Sequence, residues 1–203
     1  MEITEYKTVK TSTSRELKIQ KSLFIGHVQQ TPTVEAAQAF IAQIRAEHIQ
    51  ATHNCYAYVI GWGNRQLVHF HDHGEPSGTA GKPILGAIQR LELTHTTVVV
   101  TRYFGGRKLG VRGLIEAYGS TATLALESAG IQVVPITKKY NLTVEYPNFG
   151  TVQHLINEAG AIIENENYGK LVSLTVAIPI VNADQIIHQL TERFLIQKIE
   201  EAP

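Results

Sequence analysis

Residues 70–126 read FHDHGEPSGTAGKPILGAIQRLELTHTTVVVTRYFGGRKLGVRGLIEAYGSTATLAL, and two glycine-rich turns in this stretch each run into a helical pattern. The first turn, Gly74-Glu75-Pro76-Ser77-Gly78-Thr79-Ala80-Gly81, leads through Lys82-Pro83 to apolar Ile84, Leu85, Ile88 and Leu91 at helical spacing. Pro83 suits a first helical turn, where a missing N–H costs nothing. The second turn runs from Gly105 to Gly113, after the β-branched run Thr96 to Thr101 and before a helix predicted from about Leu114 to Ala129. A loop that enters a helix turns backbone N–H groups toward anions. Both junctions therefore predict a site for something negatively charged.

Outward from that stretch, the 203 residues hold one large domain or two small ones, and 43% hydrophobic residues are enough for packed cores. Lys+Arg and Asp+Glu are balanced at 18 each, but unevenly placed. Residues 1–137 carry 13 basic and 10 acidic side chains, and residues 138–203 carry 5 and 8. The excess of cations concentrates on the glycine-rich stretch, which holds Lys82, Arg90, Arg102, Arg107, Lys108 and Arg112. A single cysteine, Cys55, forms no internal disulfide and fits a reducing compartment. No signal peptide or membrane span is expected, and the chain is placed in the cytoplasm, away from membranes.

Tyr6 to Gln29 predicts strands, and Thr33 predicts the N-cap of a helix that ends near Glu47. His53 to Ile60 and Gln66 to His71 predict a hairpin around Gly61-Trp62-Gly63-Asn64. After Gly130 comes an extended connector, Val133 to Thr137, and a domain boundary is drawn at 137. Beyond it the expected order is a strand (139–146), a helix (149–159) and a strand (161–168). A further strand (171–180), a helix from Asn182 to Phe194 and a strand from Leu195 to Glu200 complete it. The chain is thus an α+β protein of two domains, 1–137 and 138–203, the second a ferredoxin-like βαββαβ unit.

The first loop is not a nucleotide-hydrolysing P-loop, because Pro76 and Pro83 stand where a glycine and a hydroxyl are required. A looser phosphate cradle from Ser77, Thr79, Lys82 and the N–H groups of Gly78, Ala80 and Gly81 stands beside the alternative that the glycines serve only a tight turn. The second loop has the stronger electrostatics, with Arg102, Arg107, Lys108 and Arg112 around Gly105 and Gly106. Tyr103 and Phe104 offer surfaces on which a base could stack, and strand alternation turns one of them inward. His69, His71 and His73 alternate and are weak metal candidates if the segment stays extended to His73. His53, Asp72 and Glu75 are weak acid–base candidates, although carboxylates in such a turn also serve as caps. Cys55, between apolar residues, reads as core. No cofactor is called for.

The run Asp72 to Pro83, then Thr101-Arg102-Tyr103-Phe104-Gly105-Gly106, Leu109-Gly110 and Gly113-Leu114, resembles the IMPACT family, in particular its bacterial YigZ branch. Arg45-Ala46-Glu47-His48, His53 to Ala57 and, more loosely, Lys21 to Ile25 resemble it too. The resemblance implies a first domain with the left-handed βαβ fold of the second domain of ribosomal protein S-five. It also implies a second domain like the last domain of elongation factor G. Three positions depart from the family pattern: His73 replaces an Asp, Arg112 a Gly and Glu116 a basic residue. Eukaryotic members look like regulators of a kinase that senses uncharged tRNA, acting through a further N-terminal domain, and that interaction is not carried over. The expectation is a non-enzymatic RNA-binding or ribosome-associated factor in translation, its acidic second domain free for a protein partner. The rival is an enzyme acting on a phosphorylated small molecule held by the same loops.

Overall fold

A computed structural model describes residues 3–193 and 195–202. It divides the chain into two compact units, Tyr6–Val134 and a second formed by Pro135 onward with the described residues up to Glu5. The first unit begins with β1 (Glu5–Val9), β2 (Thr13–Ile19) and β3 (Ser22–Gln30). Helix α1 (Val34–Glu47) starts as the sequence predicts, because the Thr33 hydroxyl accepts the Ala36 N–H at 3.2 Å. The predicted hairpin follows as β4 (His53–Ile60) and β5 (Leu67–His71), then α2 (Gly81–Arg90), β6 (Thr96–Tyr103), α3 (Gly110–Ala129) and β7 (Ile131–Pro135).

Among the described residues β2 to β6 form a five-stranded sheet in the order β2-β3-β6-β4-β5, antiparallel at every step. Strand alternation splits its apolar side chains between two cores. Phe24, Val28, Cys55, Ala57, Val98 and Val100 face α2 and α3, while Tyr58, Ile60 and Val99 face α1. The central strand β6 is therefore covered on both sides, and all but its last residue are buried. That is why Thr96 to Thr101 reads as an unbroken β-branched run without polar alternation.

Two expectations for the first unit need correction. Helix α3 starts at Gly110, four residues before the predicted Leu114, so Val111 and Arg112 belong to its first turn. Gly110 and Gly113 disguise that turn, because glycine is a poor helix former. The extended connector expected from Val133 is in part a strand, β7, paired with β1.

The second unit runs β8 (Thr137–Val144), α4 (Tyr146–Glu158), β9 (Ile162–Tyr168), β10 (Val172–Pro179), α5 (Ile180–Glu192) and β11 (Lys198–Glu201). Its sheet order, β11-β8-β10-β9, makes it ferredoxin-like, with Leu142, Ile156, Leu174, Val176 and Leu190 in its core. Helix α5 begins at Ile180, two residues before the predicted cap; the Asn182 amide instead donates to the Ala159 carbonyl at 2.9 Å. β11 begins at Lys198, three residues later than predicted, and the predicted helix end at Phe194 lies outside the described residues.

Candidate functional site: two loops and a cavity

The first glycine-rich loop is closed by its own chain. Asp72 Oδ2 accepts the Gly78 N–H at 2.8 Å, and Oδ1 accepts the N–H groups of Ala80 at 3.0 Å and Gly81 at 2.8 Å. Partial burial raises the Asp72 carboxyl, but the three N–H donors outweigh it and hold the group below its ordinary value. These are the N–H groups from which the sequence predicts a phosphate cradle, and a carboxylate already fills it. Thr79 is buried, its hydroxyl donating to the Pro76 carbonyl at 2.7 Å. Ser77 and Lys82 lie exposed on the outside of the loop.

Beneath this loop sits a buried polar cluster. The Glu75 side chain turns inward, where Oε1 accepts from Arg102 Nη1 at 2.6 Å and from the Tyr118 hydroxyl at 2.8 Å. Arg102 is 5% exposed and Glu75 9%, so each neutralises a charge the other could not bury alone. Arg102 is therefore committed to Glu75 and is not a free surface contact for phosphate. Its guanidinium also lies over the rings of Phe24 and Phe104, 5.3 Å from each centroid. His53 completes the cluster. Its Nδ1 donates to the His73 carbonyl at 2.8 Å, which leaves Nε2 facing Glu75 Oε1 at 3.8 Å.

The second loop follows a different plan. A side chain at Gly105 would strike the Lys21 carbonyl oxygen, so glycine there lets the loop lie against the β2–β3 turn. At Gly106 and Gly110 a side chain would meet nothing within 4 Å. Arg107, Lys108 and Arg112 are exposed and, among the described residues, take part in no ion pair. They surround the start of α3, which has neither a side-chain cap nor an acidic residue in its first turn. Of the two aromatic candidates, Tyr103 turns away to meet His48 Nδ1 at 2.9 Å, and Phe104 stays 45% exposed.

Between the buried cluster and this loop lies a cavity of about 430 Å³. Its inner end is formed by buried Glu75, Arg102 and Leu114 with half-buried His53, and its outer walls by Phe104, Lys108, Leu109 and Val111. The structure thus brings together His53, Glu75, Arg102, Phe104 and Lys108. Ser77, Thr79 and Lys82 do not line this space.

The alternating histidines do not converge. His69 and His71 lie against Tyr56, and the backbone turns at His73, where φ is +43°. His71 Nδ1 accepts the His73 N–H at 2.9 Å, and His73 Nδ1 accepts the Asn54 N–H at 3.1 Å. Among the described residues no group of three or more His, Cys, Asp and Glu is placed to hold a metal ion. Cys55 is fully buried, its thiol pushed up to about 12 chiefly by desolvation, and donates to the Asp72 carbonyl at 2.9 Å. Among the described residues no helix is long and apolar enough to cross a membrane.

Sequence reasoning did not find Tyr118, Leu109, Val111 or Leu114. Tyr118 sits in the apolar stripe of α3, 43 positions from the Glu75 it bonds, and no local spacing rule joins them. An earlier start for α3 would have placed Leu109 and Val111 at a helix entry.

Comparison with known proteins agrees with this architecture. Residues 20–126 match the Impact N-terminal domain and residues 142–194 a domain of unknown function, DUF1949. The chain is 36% identical to IMPACT family member YvyE of Bacillus subtilis, over 92% of this chain and 86% of that one. It is 38% identical to IMPACT family member YigZ of Escherichia coli, over 86% of each. A crystal structure of a hypothetical protein, 33% identical, superposes with a TM-score of 0.73 over 99% of this chain and 98% of that one. With the first unit's match covering more than half of its length and these relatives aligned nearly end to end, the chain belongs to the IMPACT family.

Proposed function

We propose that the chain binds RNA and acts in translation in association with the ribosome, using the second loop and the start of α3. The observation that supports this is the grouping of Arg107, Lys108 and Arg112, unpaired among the described residues, at a helix N-terminus that lacks a side-chain cap. Cations on phosphates supply affinity, and exposed Phe104 supplies a face on which a base stacks. The second domain, with 5 basic and 8 acidic residues over 138–203, is unsuited to phosphate and is assigned to a protein partner.

The test is cosedimentation of the full chain with ribosomes and with free RNA across a salt series, beside the Arg107→Ala, Lys108→Ala, Arg112→Ala triple variant. Binding weakens with salt in the parent and is lost in the variant. If three phosphates on single-stranded RNA are neutralised, the salt slope of the parent exceeds any residual slope by about 2. No binding of either sample at low salt would sink the proposal.

An enzyme acting on a phosphorylated small molecule is the second reading, favoured by one observation. His53 Nε2 and Glu75 Oε1 lie 3.8 Å apart at the inner end of the cavity, where a proton could pass to or from a bound molecule. Turnover of such a molecule that disappears in His53→Ala, with RNA binding unchanged, would place the enzyme first.

A further inference from the structure

The cavity beside the second loop has a chemistry of its own. Its inner end is closed by the buried Glu75 and Arg102 and the half-buried His53, whose hydrogen-bonding capacity is only partly used. Glu75 Oε1 takes both Arg102 and Tyr118, so Oε2 has no partner among the described residues. His53 Nδ1 faces a carbonyl oxygen and must donate, so the neutral ring carries its lone pair on Nε2. Arg102, 5% exposed, lines the cavity with one short bond from Nη1 to Glu75 and a long contact of 3.5 Å from Nη2 to Ser22, which leaves a further N–H on each Nη; its Nε is sealed from the surface. A buried guanidinium and carboxylate with unused capacity mark a place where a ligand completes the bonding.

The walls above are apolar. Leu109, Val111 and Leu114 form one side, and Phe104 presents a ring with Arg102 against one face. Lys108 and the uncapped start of α3 stand at the outer edge. Charge therefore decides which end of a ligand enters. At the inner end the Arg102 charge is already neutralised by Glu75, so a phosphate pushed inward would lose its hydration beside a carboxylate with no free cation among the described residues there to offset it, whereas at the edge it meets Lys108 and the α3 N–H groups. A flat, neutral, hydrogen-bonding group is what the interior fits. At about 430 Å³ the cavity falls in the range of ligand sites.

We infer that this cavity takes the base of one unpaired nucleotide, with guanine preferred and its phosphate held at the start of α3. The inference rests on the proposed RNA-binding role of the same loop and names what that loop selects. Guanine places two donors, N1–H and the N2 amino group, side by side on its Watson–Crick edge. They meet the two acceptors Glu75 Oε2 and His53 Nε2, and O6 on the same edge accepts from Arg102. Adenine presents a single donor group there and leaves one of the acceptors unmatched, which is how buried polar groups discriminate. The shared chemistry is a guanine nucleotide, either free or as one residue of single-stranded RNA.

The experiment is calorimetric titration of the full chain with the four nucleoside monophosphates, with guanosine and with inorganic phosphate, followed by single-stranded RNA with and without one guanine. Guanosine monophosphate binds at least about 10-fold more tightly than adenosine monophosphate, as a matched donor pair requires. Guanosine and phosphate each bind more weakly than the nucleotide. Val111→Trp, at an exposed position that fills the cavity, abolishes nucleotide binding, and Phe104→Ala weakens it. Tighter binding of the guanine-containing RNA than of the monophosphate identifies RNA as the source, and the reverse identifies the free nucleotide. Equal binding of all four nucleotides, or phosphate binding as tightly as the guanine nucleotide, overturns the inference. So does salt-dependent RNA binding that Val111→Trp leaves unchanged and that no nucleotide competes, a result that leaves the RNA-binding role standing. Loss of RNA binding altogether is read independently, in the cosedimentation.

Discussion

The two glycine-rich loops of the first unit resemble each other in sequence and differ in what they do with the backbone they expose. Both lead into a helix, and both read as places for an anion. The first turns its Gly78, Ala80 and Gly81 N–H groups onto Asp72, six to nine residues upstream. The second has no acidic residue between Gly105 and Gly113, and the start of its helix keeps no side-chain acceptor. A glycine-rich entry to a helix is thus open to an external anion only when the chain does not bring its own. The charge next to the loop distinguishes the cases: Asp72 and Glu75 flank the first, Arg107, Lys108 and Arg112 the second.

The largest expected effect falls on the cluster under the first loop. Glu75→Ala leaves the Arg102 charge buried and unpaired, which costs about 3–5 kcal/mol in chemical denaturation. Replacing both partners, as Glu75→Leu with Arg102→Met, recovers most of that loss, because no charge is then stranded. If the single variant loses less than about 1 kcal/mol, the cluster does not hold the loop and the distinction between the loops loses its structural basis.

Next comes Asp72→Ala, which removes the internal anion and costs about 2 kcal/mol, the upper end for a helix-capping side chain. The effect depends on pH with a definite sign. The folded-state carboxyl is held below its ordinary value, so its contribution is fully present above the unfolded value near ~3.9 and is lost as pH falls through the folded one. Parent and variant therefore converge in acid. Emptied of Asp72, the first loop should also acquire the property of the second: sulfate raises the melting temperature of the variant more than that of the parent. A variant indifferent to sulfate would show that exposed N–H groups at such a junction do not suffice to bind an anion.

How much of this the sequence disclosed follows from distance along the chain. The Thr33 cap, the β4–β5 hairpin and the βαββαβ order of the second unit are written in periodicities and caps a few residues long, and all three appear, the last with element ends shifted by two or three residues. The start of α3 was hidden because Gly110 and Gly113 lower helix propensity where the helix begins. β7 was hidden because five residues of alternating partial exposure carry little apolar signal. The Glu75–Arg102–Tyr118 cluster joins residues 27 and 43 positions apart, and only the tertiary fold makes them neighbours. Asp72 lay within reach of local reasoning, since a carboxylate ahead of a turn can either act on a ligand or cap N–H groups. Residue type alone did not choose between those uses.

The smallest expected change in stability makes the most direct test of the comparison. Gly110 stands at the entry to α3 with φ at +72°, and a Cβ added there meets nothing within 4 Å. Gly110→Asp would place a carboxylate over the first-turn N–H groups of α3, giving the second loop the internal anion that Asp72 gives the first. Capping contributes a few tenths of a kcal/mol relative to glycine, and the left-handed backbone costs on the order of 1 kcal/mol, less for Asp than for most residues. The gain offsets part of the cost, so thermal unfolding should fall by no more than a few degrees. RNA binding should nevertheless fall sharply, although Arg107, Lys108 and Arg112 are all still present, because the carboxylate occupies the place of the phosphate. Binding that survives in Gly110→Asp and disappears only when the three cations are removed would mean that side-chain charge alone holds the ligand. The open helix entry would then be incidental, and the two loops would differ only in the sign of the charges they carry.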